Sequence, residues 1–316
     1  MFGKTLLILI LALQYSLIFS HGTFDQYEYD PSAAAGRYIY TAALSFADDP
    51  FKCLSGPMYS KNQVFANMDY AKGLANNNDT FSVVGVKVGN EIIFGFNGDD
   101  QETNFWDQFI DRRILPTGKL VLDDQVVNVH RYWLEYFLKL NPFIERYLDK
   151  HYKAGDKITF VGYGFGGAIA SISSLYYSEA NQNQINPIWL SGGVSMYTFG
   201  MPRVGDYGYA RVHDQFVQDS WRITRSNDIV PHLPLCGSKS YKVCSPDFGN
   251  YHHGEEVYYS VDMTDIRKFS NCGGLPKNED VLCSNRNNDF SMEHHNCYFS
   301  LQVAEFCKLG NVTGVC

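Results

Sequence analysis

The segment best placed to do chemistry is Lys157-Ile158-Thr159-Phe160-Val161-Gly162-Tyr163-Gly164-Phe165-Gly166-Gly167-Ala168-Ile169-Ala170. It reads as a short apolar strand, a glycine turn and the start of a helix. Two chemistries use that layout. Gly162, Gly164 and Gly167 satisfy G-x-G-x-x-G, in which glycines let a pyrophosphate approach a helix N-terminus. The same layout is that of the nucleophile elbow, G-x-S-x-G, in which a strained turn lifts a serine above the sheet. A third reading needs no ligand, because glycines also let a helix pack closely on a strand. The dinucleotide reading requires an acidic residue at the end of a following strand to hold the ribose. The chain offers Ser178-Glu179-Ala180-Asn181-Gln182 there, a polar helix end with no strand before it.

Other groups could be read as metal ligands. His252, His253, Glu255 and Glu256 are adjacent, but strand alternation would send neighbours to opposite faces. The eight cysteines, Cys53, Cys236, Cys244, Cys272, Cys283, Cys297, Cys307 and Cys316, include no C-x-x-C pair, and no H-E-x-x-H occurs. Neither a metal nor any other cofactor is expected. An even number of cysteines suits four disulfides. That fits the first residues, where Lys4 precedes an apolar run from Leu6 to Leu13 and a small residue, Ser20, closes a second apolar patch. The pattern is that of a secretory signal peptide over 1–20, too short for a membrane anchor, followed by one domain over 21–316. Sequons at Asn78 and Asn311 agree with secretion to an extracellular setting.

Strand and helix patterns alternate around the glycine segment. Phe81 to Val88 and Glu91 to Phe96 read as a hairpin about Gly89-Asn90. Val129 to His151 has helical apolar spacing with Pro142 as a kink or break, Lys157 to Val161 is a strand, Ala168 to Ser178 a helix and Val194 to Phe199 a strand. Alternation of this kind predicts an α/β fold with a mostly parallel central sheet and helices on both faces. The chain has 316 residues, 45% hydrophobic, with a net charge of -8 and no basic cluster, which excludes a disordered state and disfavours nucleic acid as a partner.

Several ordered segments resemble one family, the class 3 lipases, the fungal triacylglycerol lipase-like branch of the α/β-hydrolase fold. Val129-His130-Arg131 resembles its VH-x-G-[FY] segment, and Val161 to Ala170 its VTGHSLGGALA elbow. Thr198-Phe199-Gly200-Met201-Pro202-Arg203-Val204-Gly205 is similar to TFG-x-PRVG, and Asn227-Asp228-Ile229-Val230-Pro231-His232-Leu233-Pro234 to ND-x-VP-x-LP. Tyr251-His252-His253-Gly254-Glu255-Glu256 matches H-x-GEE, and His295-Asn296-Cys297-Tyr298-Phe299 the H-x-x-YF loop.

The resemblance implies an α/β-hydrolase whose acid is Asp228 and whose base is His295, in the order such enzymes use. It also implies that the nucleophile position is Gly164, where the family carries serine. The family's oxyanion hole would fall on the backbone N–H of Phe165 and on Asp99, in Phe96-Asn97-Gly98-Asp99, where the family has Ser or Thr. Residues 99–115, with Phe105, Trp106, Phe109 and Ile110, sit where the family carries a lid, or form an ordinary amphipathic helix. By the same resemblance Cys272 pairs with Cys283 and Cys53 with Cys316, while Cys236 and Cys244 close a short loop.

The expectation is therefore a secreted lipase-like protein of lipid metabolism, catalytically inactive or nearly so, with a lipid or acyl-ester cleft. Two alternatives stand beside it. One is an active triacylglycerol lipase or carboxylic ester hydrolase with a non-standard site. The other is a secreted binding protein unrelated to lipid.

Overall fold

The computed structural model describes residues 27–54, 66–74, 80–98, 117–122, 125–182, 192–237, 243–247, 249–275, 277–307 and 316. The signal segment 1–20, the sequons at Asn78 and Asn311, and the 99–115 segment with Asp99 lie outside the described residues.

Ten strands are present among these residues: β1 (Ala66–Leu74), β2 (Thr80–Val88), β3 (Glu91–Asn97), β4 (Gly118–Val121), β5 (Val126–Val129), β6 (Lys157–Tyr163), β7 (Val194–Phe199), β8 (Asp219–Arg225), β9 (Glu255–Tyr259) and β10 (Ser270–Cys272). Eight of them form one sheet in the order β1-β2-β3-β6-β7-β8-β9-β10. The central run from β3 to β9 is parallel, and antiparallel pairs close both edges. The β2–β3 hairpin turns at Gly89-Asn90 as the sequence predicts, with Val88 opposite Glu91.

The central strands are apolar on both faces because both faces are covered. On β6, Ile158 and Phe160 point into one core and Val161 and Tyr163 into the other, and on β7 Met196 and Tyr197 divide in the same way. The second core is sealed by α1 (Ile39–Leu44), which ends a helical stretch capped at its start by the Asp30 carboxylate. Over the first core lie α2 (Arg131–His151) and α3 (Phe165–Gln182), with α4 (Tyr207–Phe216) beside them. Pro142 sits inside α2 without ending it. It is exposed, so water can take the carbonyl that loses its donor.

The cysteines form four disulfides. Cys236–Cys244 and Cys272–Cys283 are the pairings the sequence suggests. The expected Cys53–Cys316 bridge is corrected: Cys53 bonds Cys307, and Cys316 bonds Cys297. The cause is packing, since Cys53 and Cys307 lie against the same apolar core with Cα atoms 5.4 Å apart. The Cys53–Cys307 bridge spans 254 residues, so its removal frees a very long loop in the unfolded chain. Replacing both by serine is expected to lower stability by up to about 5 kcal/mol, read as a lower urea midpoint under non-reducing conditions.

Candidate functional site

β6 runs through the middle of the sheet and ends at Tyr163, and α3 begins at Phe165. One residue, Gly164, makes the turn between them with φ +55. That is the left-handed region, which side chains rarely adopt. Its N–H donates to the Phe199 carbonyl (2.9 Å), and its carbonyl accepts from Gly167 N (3.0 Å), so the turn is fixed at both ends. The neighbouring glycines are explained by close approach, because a Cβ on Gly166 would meet the Phe96 carbonyl oxygen at 1.9 Å. The helix therefore lies directly on the sheet. No bound phosphate is needed to account for the motif.

Asp228 and His295, 67 positions apart in sequence, meet at the carboxyl ends of the parallel strands. Asp228 follows β8, and His295 ends a short helix, α5 (Met292–His295). His295 Nδ1 lies 2.8 Å from Asp228 Oδ2, and both side chains are buried. The same oxygen accepts the Tyr298 hydroxyl (2.6 Å), while Oδ1 accepts Val230 N–H (2.8 Å). A carboxylate receiving these three donors makes Nδ1 the protonated nitrogen and presents Nε2 as the basic edge of the ring. Burial and the neighbouring Asp228 charge push the Tyr298 phenol far above its usual range, so it stays a donor.

The imidazole is held from other sides too. Tyr163 stacks on it with ring centroids 4.5 Å apart and planes 17° apart, and the Tyr163 hydroxyl donates to the His295 carbonyl (2.9 Å). Gly200, with φ +62, closes the remaining side, since a Cβ there would come within 2.7 Å of Asp228 Oδ2 and 2.8 Å of His295 Nδ1. Arg225 Nη1 donates to the Cys297 carbonyl (3.1 Å), tying the histidine loop back to β8. Tyr163, Gly200 and Tyr298 escape a search for reactive groups because none is a nucleophile or base. The adjacency of Tyr298 to His295 was the available signal. Tyr298→Phe removes one donor to a buried carboxylate and is expected to lower stability by about 1–3 kcal/mol, measured by urea unfolding.

Phe165 is the first residue of α3, at the positive end of that helix's dipole. β3 exits beside it: a Cβ on Gly98 would lie 2.9 Å from Phe165 Cβ. Ser171, further along α3, is wholly buried with its hydroxyl 2.6 Å from Tyr209 and 2.5 Å from His253 Nε2. This serine–histidine contact is a different pair from the elbow, and among the described residues no carboxylate hydrogen-bonds His253. His252 and His253 serve different partners, His252 Nε2 contacting the Pro231 carbonyl (2.7 Å). The group Cys236, Cys244 and Glu279 alone clusters its ligand atoms closely enough for a metal among the described residues, and both of its sulfurs are joined to each other.

The comparisons agree with this architecture. Residues 93–238 match the family described as lipase (class 3). That stretch holds most of β3, the elbow, Gly200 and Asp228. The chain has the α/β-hydrolase fold, and over that stretch it is similar to class 3 lipases. The chain is 34% identical over 170 residues to Lipase ZK262.3 of Caenorhabditis elegans, covering 47% of this chain and 46% of that protein. It is 25% identical over 154 residues to the secreted mono- and diacylglycerol lipase MDL5 of Malassezia globosa, covering 48% and 42%. The chain spans about half the length of the curated relatives it matches. Among solved structures it shares its fold with lipase II from Rhizopus niveus, with TM-score 0.58, 18% identity and 83% and 91% of the two chains covered. The lipase from Rhizopus microsporus var. chinensis gives 0.59, 20%, and 84% and 87%. Among the described residues, no helix is long and apolar enough to cross a membrane.

Proposed function

We propose that this chain is a secreted lipase-like protein that has lost serine-hydrolase turnover, keeps an oriented acid–base pair, and retains a cleft for a lipid or acyl ester. The observation that carries the reading is the residue at the elbow apex, a glycine where α/β-hydrolases of this type present the attacking serine. In the serine mechanism that hydroxyl attacks the ester carbonyl, the histidine takes its proton, and the aspartate stabilises the imidazolium. Asp228 and His295 have the geometry for the second and third roles, and Gly164 has no atom for the first. Loss of a nucleophile lowers turnover by about a millionfold, leaving roughly a thousandfold over water to the oxyanion hole and binding. Asp99, in place of a hydroxyl donor, weakens that remainder, because a carboxylate accepts hydrogen bonds and repels a developing oxyanion.

Secretion is supported by the four disulfides and by the apolar leader pattern over 1–20. The lipid ligand is supported by the relatives' names alone, since both are lipases. The preserved Asp228–His295 pair favours a second reading, an ester hydrolase in which His295 activates water. An assay on short and long acyl esters separates them, and a fluorophosphonate probe tests for any serine nucleophile at the site. The expected result is no labelling and turnover at the buffer rate. Labelling of the wild-type protein, or turnover well above buffer that His295→Ala abolishes, would overturn the proposal.

A further inference from the structure

Away from the elbow, a cleft of about 590 Å³ opens between α4 and the loops that precede β9 and follow β10. Tyr207, Arg211 and Gln215 are four residues apart on α4, so they form one stripe along its cleft-facing side. Tyr251 and Asn278 form the opposite wall. Tyr207 is 38% exposed and packs edge-to-face on Tyr251 with centroids 5.0 Å apart, so the cleft has a fixed aromatic platform. Tyr251 is anchored through its hydroxyl to the Lys277 carbonyl (3.1 Å).

The charges are unequal. Asp214 is saturated: Lys277 Nζ lies 3.0 Å from its Oδ2, Asn278 Nδ2 donates to the same oxygen (2.6 Å), and Gly254 N–H donates to Oδ1 (2.7 Å). Arg211 is exposed and makes no ion pair or hydrogen bond among the described residues. The cleft thus carries one uncompensated guanidinium beside an aromatic ring on a chain whose net charge is -8. Another cleft, between β1 and α2, offsets Arg146 and Lys150 with Asp69 and Asp149 and lies at the negative end of α2. It has no such bias.

We propose that the α4 cleft binds an acidic sugar, a hexuronate unit of a glycan, with the pyranose face on Tyr207 and the carboxylate on Arg211. A planar guanidinium fork matches a carboxylate in two parallel hydrogen bonds. An exposed tyrosine gives a rigid apolar surface at low entropic cost, and the Gln215 amide can serve a ring hydroxyl. An acyl chain fits poorly, because Arg211, Asp214, Gln215, Lys277 and Asn278 would be desolvated against it.

The test is titration calorimetry and saturation-transfer NMR on the full chain with hyaluronan tetrasaccharide, and with chitotetraose as the neutral control. Hyaluronan is expected to bind. Arg211→Gln and Tyr207→Ala should each weaken it about tenfold or more, with Arg211→Lys intermediate and chitotetraose weaker by a similar factor. Both positions are exposed, so unchanged melting temperatures will show that the variants fold. No saturation transfer from hyaluronan at millimolar concentration, equal binding of chitotetraose, or affinity indifferent to Arg211→Gln would each overturn the proposal. The elbow plays no part in this binding, so the result is independent of whether the chain hydrolyses esters.

Discussion

Installing serine at position 164 together with Asp99→Thr is expected to convert the chain from unlabelled to fluorophosphonate-reactive and to give measurable ester hydrolysis. The reason is that the other parts are already in place. His295 is tethered at Nδ1, clamped by Tyr163 and backed by a carboxylate with three donors. Gly164 already has the left-handed backbone that an elbow serine must adopt, so the substitution adds a hydroxyl at the cost of about 1 kcal/mol or more of backbone strain. A full nucleophile effect is about a millionfold, but a hydroxyl without a good oxyanion donor recovers less, since one donor is worth about a hundredfold to a thousandfold. The double variant should therefore exceed Gly164→Ser alone by up to about that factor. Equal rates for the two would show that position 99 is not part of the hole. No labelling of either, with both folded, would show that His295 cannot activate a hydroxyl at the elbow.

Acidification is expected to destabilise this protein far more than an ordinary domain. His130, His213, His232, His252 and His253 are all buried. Burial lowers His130 to about 4 and His213 to about 3. Burial with the Arg203 and Arg222 charges lowers His232 to about 3, and burial first, with neighbouring cationic groups, holds His252 and His253 well below the usual range. The unfolded chain protonates each near pH 6.5, whereas the native chain does not. Stability is thus complete above about pH 7, falls as pH drops through 6.5, and levels only below the native values near 3–4. Each such histidine removes about 2 kcal/mol between pH 7 and pH 5, so the three with defined values remove about 6 kcal/mol, comparable with a whole domain's stability. Glu279 does not offset this. Burial works to raise its carboxyl, but Arg203 and then Arg222 hold it low, so its contribution persists until more acidic pH. The melting temperature should fall by about 10–15 °C or more from pH 7 to pH 5. His130→Gln should flatten that dependence by one proton, and a flat profile in the wild type would refute the argument.

The sequence made the centre of the fold readable and left its periphery obscure. β6, the glycine turn and α3 were legible because an apolar run buried on both faces, a turn needing glycine and a helical period follow one another without interruption. β8 was not, because Asp219, Ser220, Arg222 and Arg225 look like solvent-facing residues. In the structure they are pulled inward by partners distant in sequence: Lys157 pairs with Asp219, and Arg222 donates to the carbonyls of His253 and Asn278. The meeting of Asp228 with His295 could be inferred only from resemblance, since it depends on a loop that returns to the sheet 67 residues later. The expected partner of Cys53 was wrong for a related reason. The partner of Cys53 is decided by which C-terminal residue packs on the second core, and neither composition nor spacing encodes that.

The Cys53–Cys307 bond has a consequence for survival after cleavage. A single cut in any segment between those two cysteines yields pieces that remain covalently one molecule, with Asp228 and the elbow on the same tethered assembly as α1. Such a nicked chain would migrate intact on a non-reducing gel and split only when thiol is added. Limited proteolysis would then trim this protein without dispersing it.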